Sequence, residues 1–152
     1  MKILIILFTI FSFAYTKQNV FMLSKYDKET ELEAKIVQKI AQSSIKDSIK
    51  IFIPNISESE RKIYSRFFKI SKDCKSANFV YDKNGLTESS CKGLNKLFFT
   101  NNYKRLLSNK KYYGAFFWNK SRPNIVFVKQ RLDEKSINLP KEYEGYIEEF
   151  YE

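Results

Sequence analysis

Residues 96–128 read KLFFTNNYKRLLSNKKYYGAFFWNKSRPNIVFV, and the order of elements in this stretch decides the fold class. Leu97, Phe98 and Phe99 form a short apolar run with the bulk of a buried strand. Thr100, Asn101 and Asn102 follow, with side chains suited to cap a helix through Tyr103, Leu106 and Leu107. Asn109–Lys110–Lys111 ends that helix. In the next run, 112–118, Tyr113, Ala115 and Phe117 alternate against Tyr112, Phe116 and Trp118. Both faces of that strand are apolar or aromatic, as in a sheet covered on two sides. Gly114 permits close approach of neighbouring groups. Residues 119–124, including Arg122–Pro123, are expected to form a turn, and 125–128 a strand that pairs back as a hairpin. Strand, helix, strand, turn and strand indicate a layered α/β domain.

The residues before this stretch extend the pattern. Residues 29–45 carry Leu32, Ile36, Val37, Ile40 and Ala41 on one face of a helix. Asp27 or Thr30 is a candidate cap, and Glu29, Glu31 and Glu33 suit the positive end of the helix dipole. Asn19 to Leu23 is either an edge strand or the lead-in to that helix. Ile49, Ile51, Phe52 and Ile53 make a strand that Pro54–Asn55 ends. Ser57 and Glu60 stand at capping-box spacing before Ile63, Tyr64, Phe67 and Phe68. A polar turn at 72–76 leads into a strand at 77–81. The segment DKNGLTESS, 82–90, reads as a loop around the Asn84–Gly85 turn dipeptide. Beyond Gln130 the tail is charged, and predicts an extended piece followed by a helix from Pro140 that closes over the sheet. The expectation is one α/β domain, residues 15–152, whose mixed sheet of about five strands is flanked by helices.

Residues 1–14 are expected to be a signal peptide. Lys2 precedes thirteen uncharged residues, 3–15, too few for a comfortable membrane span of about 20. Ser12 and Ala14 suit the −3 and −1 positions of a cleavage site. An uncleaved anchor is the alternative. Without a cysteine after the apolar run, a lipoprotein is not indicated. The expected destination is outside the cytoplasm, in an oxidising environment where disulfides persist.

Cys74 and Cys91 each stand a few residues before a predicted strand. If those strands are parallel neighbours, both cysteines lie near one edge of the sheet, which favours a disulfide. Two separate structural thiols are the alternative, and the spacing excludes a C-x-x-C redox site. The chain contains no histidine. That excludes His-dependent triads and the usual zinc ligand sets. No metal or cofactor is expected, and no catalytic constellation is found. The formal net charge of +10 allows an acidic partner. The lysines are dispersed, however, which suits a solvated basic surface, and a nucleic-acid partner is not expected. Helix starts can hold anions, so Thr100, Asn101, Asn102 and Arg122 are the candidate anion or ligand contacts.

The ordered pattern from Glu29 onward resembles the YfiR-like family of periplasmic regulators. It is carried by the helix ETELEAKIVQKIAQ, the strand IKIFIP, the Cys-led strand CKSANFVY, the strand-to-helix segment LFFTNNYKRLL and the hairpin YYGAFFWNKSRPNIVF, with a C-terminal helix after it. In that family the matching places read as a Cys before an apolar strand, a T-V/T-S strand end, a G-G-M-I-x-F strand and an F-E-I-N strand. Here Tyr113 replaces one glycine of the pair, and Val128–Lys129 replaces the acidic-Asn ending. Cys74 matches the family's strand-leading cysteine; Cys91 has no counterpart. The resemblance implies a location in the periplasm and a non-enzymatic protein that restrains a membrane-bound diguanylate cyclase by binding its periplasmic sensor domain. It also implies disulfide-dependent stability and a redox response.

Three functions therefore compete. One is this regulator, with a membrane-bound sensor protein (cyclase or kinase) as partner and homodimer formation left open. The second is a periplasmic small-ligand, anion-binding protein. The third is an enzyme using Lys, Tyr or carboxylates, for which no diagnostic spacing is present.

Overall fold

Helix α1 (Lys25–Ser44) opens the computed structural model, which describes residues 25–150. Asp27 and Thr30, the expected caps, lie inside this helix: Asp27 is in its first turn and Thr30 is buried. Strand β1 (Lys50–Phe52) and helix α2 (Glu58–Tyr64) follow, then β2 (Lys69–Ile70), β3 (Phe79–Asp82) and the short α3 (Thr87–Ser90). Next come β4 (Leu97–Thr100), α4 (Tyr103–Ser108), β5 (Tyr112–Asn119) and β6 (Arg122–Val128). Helix α5 (Lys129–Glu134), a 3-10 helix (Lys141–Tyr146) and β7 (Ile147–Glu148) complete the described chain. The expected signal peptide, residues 1–14, and the segment 19–23 lie outside the described residues.

All seven strands join one sheet in the order β2-β1-β3-β4-β5-β6-β7. The β5–β6 hairpin is antiparallel and every other pair is parallel, so the sheet is mixed, as expected. The count exceeds the expected five because β2 and β7 are edge strands of two residues each. Two residues cannot show a period of two, and neighbouring backbone alone makes them strands. Three further expectations are corrected. The second half of the 82–90 loop is α3, and residues 129–134 form helix α5 in place of an extended piece. The hairpin turn is only Lys120–Ser121, with φ of 48° and 62°. Arg122 and Pro123 are already paired with Asn119 and Trp118 in the ribbon.

Helices and sheet enclose two apolar layers, one on each face. Phe79, Tyr81 and Phe99 point toward α1 and α2, while Val80 and Phe98 point toward α4 and the disulfide. This is strand alternation with both faces covered. Strand β5 breaks the expected alternation. Tyr112 and Ala115 share the α4 face, while Tyr113 and Phe116 share the α1 face. The cause is a register shift against β4, where Phe98 opposes Tyr112 but Phe99 opposes Gly114. The inserted residue moves the side chains on either side of it out of phase. Gly114 is required beside this shift. A Cβ there would sit 2.7 Å from Phe99 Cε2, 2.8 Å from Phe127 Cδ1 and 2.9 Å from the Val126 carbonyl.

Cys74 and Cys91 form a disulfide, with Cα atoms 5.4 Å apart. It joins the segments leading into β3 and β4, which are parallel neighbours. At the C-terminal end, Tyr143 of the 3-10 helix packs edge-on against Phe127, 5.6 Å between centroids, and so closes over the sheet. No helix among the described residues is long and apolar enough to cross a membrane.

Candidate functional site

The strand order places a natural crevice. After β1 the chain passes through α2 to β2 on one side; after β3 it passes to β4 on the other. Connections leaving β1 and β3 therefore diverge, and parallel α/β sheets bind ligands outside the carboxyl ends of strands at such a point. A crevice of about 420 Å³ lies there. Ile53 and Pro54 follow β1 into it, Lys83 and Asn84 follow β3, and Asn101 follows β4. Trp118, near the tip of the β5–β6 ribbon, lines it with Tyr26 and Glu29 of α1.

Its floor is an ion cluster drawn from three elements. Lys83 Nζ lies 2.8 Å from Glu33 Oε1 of α1 and 2.6 Å from Glu60 Oε1 of α2. Tyr64 donates its hydroxyl proton to the same Glu33 oxygen at 2.5 Å. The ammonium also stands over the Tyr64 ring, 5.8 Å from its centroid. Burial opposes the charge on Lys83, but the two carboxylates outweigh it and raise the ammonium pKa. Burial likewise opposes the Glu60 charge, yet hydrogen bonds from Lys83 and Ser57 lower its pKa. The wholly buried Tyr81 hydroxyl forms no hydrogen bond of ordinary geometry. Burial and then the Glu33 charge push its pKa well up. Two carboxylates thus meet one ammonium at the floor, with Glu29 also lining the crevice, so the site is locally acidic on a basic chain.

A second buried group fixes the β3 loop beside it. Asp82 Oδ1 accepts from the backbone amides of Asn84, Gly85 and Leu86 at 3.3, 2.7 and 3.2 Å. Asp82 Oδ2 accepts from Thr87 Oγ1 at 2.7 Å and the Tyr112 hydroxyl at 2.5 Å. Backbone amides converging in this way make an anion nest, and its occupant is the loop's own carboxylate. Gly85 takes a φ of 73° there, a conformation that suits glycine. This loop holds Lys83 in place over the crevice floor.

The candidate contacts read from the sequence separate. Asn101 lines the crevice. Thr100 is buried; its hydroxyl donates to the Asp82 carbonyl at 2.9 Å and accepts from Arg105 Nη1 at 3.1 Å. Asn102 caps α4 by accepting from the Arg105 amide at 3.0 Å. Arg122 is exposed beside the hairpin turn, paired with Asn119. Thr100 is thus engaged by the chain's own Arg105, and Arg122 stands at the tip of the ribbon that carries Trp118, outside the crevice lining. Sequence reasoning missed Glu33, Glu60, Lys83, Tyr26 and the placement of Trp118. Glu33 had one detectable signal: a carboxylate on a helix between the core positions Ala34 and Val37 and the cap region. Lys83 had none, because it lies within a turn sequence.

No protein-family model, curated protein or solved structure matches this chain.

Proposed function

We propose that this chain is a non-enzymatic periplasmic regulator. In this reading it binds the periplasmic sensor domain of an inner-membrane signalling protein, of the diguanylate cyclase type, and recognition occurs at the carboxyl-end crevice. The supporting observation is the Glu33–Lys83–Glu60 cluster at the strand-order switch point. A lysine held charged between two carboxylates is a poor base or nucleophile at neutral pH, whereas a fixed polar floor under an aromatic rim suits recognition. The resemblance to the YfiR-like pattern supplies the class of partner. A small ligand in the same crevice is the second reading, favoured by the site's position at the switch point. An anion there would face Glu33 and Glu60, whose one lysine they already share, so this reading favours a ligand with positive charge.

The test is a pull-down from native membranes with residues 15–152, run with and without reductant. Recovery of a sensor cyclase or kinase is expected. Failure to recover any membrane signalling protein in either state would sink the regulator, and a thermal-shift screen would then address the small ligand.

A further inference from the structure

We infer that the outer edge of β5 beside the crevice is a docking strand for an extended segment of alternating basic and apolar residues. β4 stops at Thr100, opposite Ala115, while β5 continues to Asn119. The four residues 116–119 therefore extend about 13 Å past their neighbour. Among the described residues, no strand pairs with them on that side and no backbone hydrogen bond is made to them there. The hairpin geometry identifies the free groups. A two-residue turn with positive φ at both positions makes Asn119 and Arg122 the closing hydrogen-bonded pair. Alternation then turns the backbone N–H and C=O of Trp118 away from β6, toward the space left by β4.

The two edges of this ribbon differ. On β6, Pro123 stands opposite Trp118 and has no N–H to offer at the outer edge, while β7 covers only Phe127 and Val128. Proline blunts an exposed edge in this way. Among the described residues the β5 edge carries no proline, and Trp118 on it lines the crevice.

The surfaces on either side of the edge specify the occupant. On the α1 side stand Trp118, stacked edge-on against Phe116 at 5.6 Å, and the crevice with Glu29, Glu33 and Glu60. A cation there meets an aromatic face and a local excess of negative charge. On the α4 side, Phe117 packs against Tyr103 at 5.3 Å, an aromatic surface suited to an apolar side chain. A strand added to β5 presents alternate residues to these two sides, basic on one and apolar on the other. The inference rests on the regulator reading only for the source of that segment, the sensor domain.

Trp118 is the only tryptophan, so intrinsic fluorescence reports this edge directly. The full exported chain is titrated with an acetylated, amidated hexapeptide of alternating valine and lysine. Saturable change in Trp118 emission is expected, with protection of its backbone amide from hydrogen exchange. A valine–glutamate peptide, and a valine–lysine peptide N-methylated on alternate residues so that it cannot pair as a strand, are expected to bind at least about tenfold more weakly. Glu29→Gln, which removes one carboxylate from the crevice lining, is expected to weaken the valine–lysine peptide several-fold. Equal binding of the N-methylated peptide, or saturation of the same signal by spermidine at equal affinity, would reduce the edge to a small-cation site and overturn the inference. Absence of any titration would do the same. If the peptide binds but no membrane partner is recovered, the regulator falls and the docking edge stands.

Discussion

Asp82 shows how one side chain orders the wall of the crevice. Five donors converge on its carboxylate, and burial opposes its charge. The hydrogen bonds from Tyr112, Thr87, Gly85 and Leu86 outweigh burial and lower the pKa. A carboxyl with a lowered folded-state pKa adds stability that is present above the unfolded-state value and lost as pH falls through the folded-state value. Stability is therefore expected to decline below about pH 4, the ordinary aspartate range. Asp82→Asn removes the charge and places an amide NH₂ among donors, so it is expected to cost about 2–4 kcal/mol and to flatten that acid limb. Urea melts between pH 3 and 7 measure both; an unchanged acid limb would count against Asp82 as its source. Gly114→Ala is expected to cost about 1–3 kcal/mol by overpacking Phe99 and Phe127, since both rings are fully buried and cannot move aside cheaply. Neither role of Asp82 nor that of Lys83 can be read from DKNGLTESS. Its turn residues announce a loop, but the partners Tyr112, Glu33 and Glu60 lie 23 to 50 positions away.

Among the elements, α2 carries the closest agreement between sequence and structure. The Ser57–Glu60 capping box forms as its spacing predicts, with the Ser57 amide donating to Glu60 Oε2 at 3.2 Å. The same glutamate gives its other oxygen to Lys83 at 2.6 Å, so the cap also aims a crevice residue. Ser57→Ala is expected to cost about 1 kcal/mol in a denaturant melt. It should also loosen the crevice floor, which is read as weaker binding of the valine–lysine peptide. Normal affinity in a destabilised variant would confine the box to helix stability. Capping was legible because it is local. The β5 register shift was not, since it depends on where Phe98 and Phe99 of another strand stand. Arg131 was equally hidden. Read as part of a charged tail, it is buried and donates to the Leu106 and Tyr112 carbonyls at 2.7 and 2.9 Å, closing the end of α4. Buried arginines are rare, and nothing in its sequence surroundings distinguishes it from the exposed Lys129 and Gln130.

Across the whole molecule, the disulfide and the crevice occupy opposite ends of the sheet. Cys74 and Cys91 precede β3 and β4, whereas the crevice residues follow these strands. Closing a loop across 17 positions restricts the unfolded chain by about 3 kcal/mol. The paired substitution Cys74→Ser with Cys91→Ser is thus expected to lower the melting temperature by on the order of 10 °C. The Asp82 nest, the Lys83 cluster and the β5 edge draw none of their hydrogen bonds from either cysteine. Peptide affinity at the crevice is therefore expected to be unchanged in the double variant at a temperature where it remains folded. The contrary result has a structural route. Thr87 begins α3 at the Asp82 carboxylate, and Cys91 follows the end of that helix with its amide bonded to the Thr87 carbonyl at 2.9 Å. If reduction weakens the peptide by more than about tenfold while the fold persists, α3 transmits the redox state to the loop that holds Lys83. If affinity stays constant while the melting temperature falls, the disulfide acts on stability alone. Recognition then depends on the carboxyl-end surface whatever the state of the cysteines.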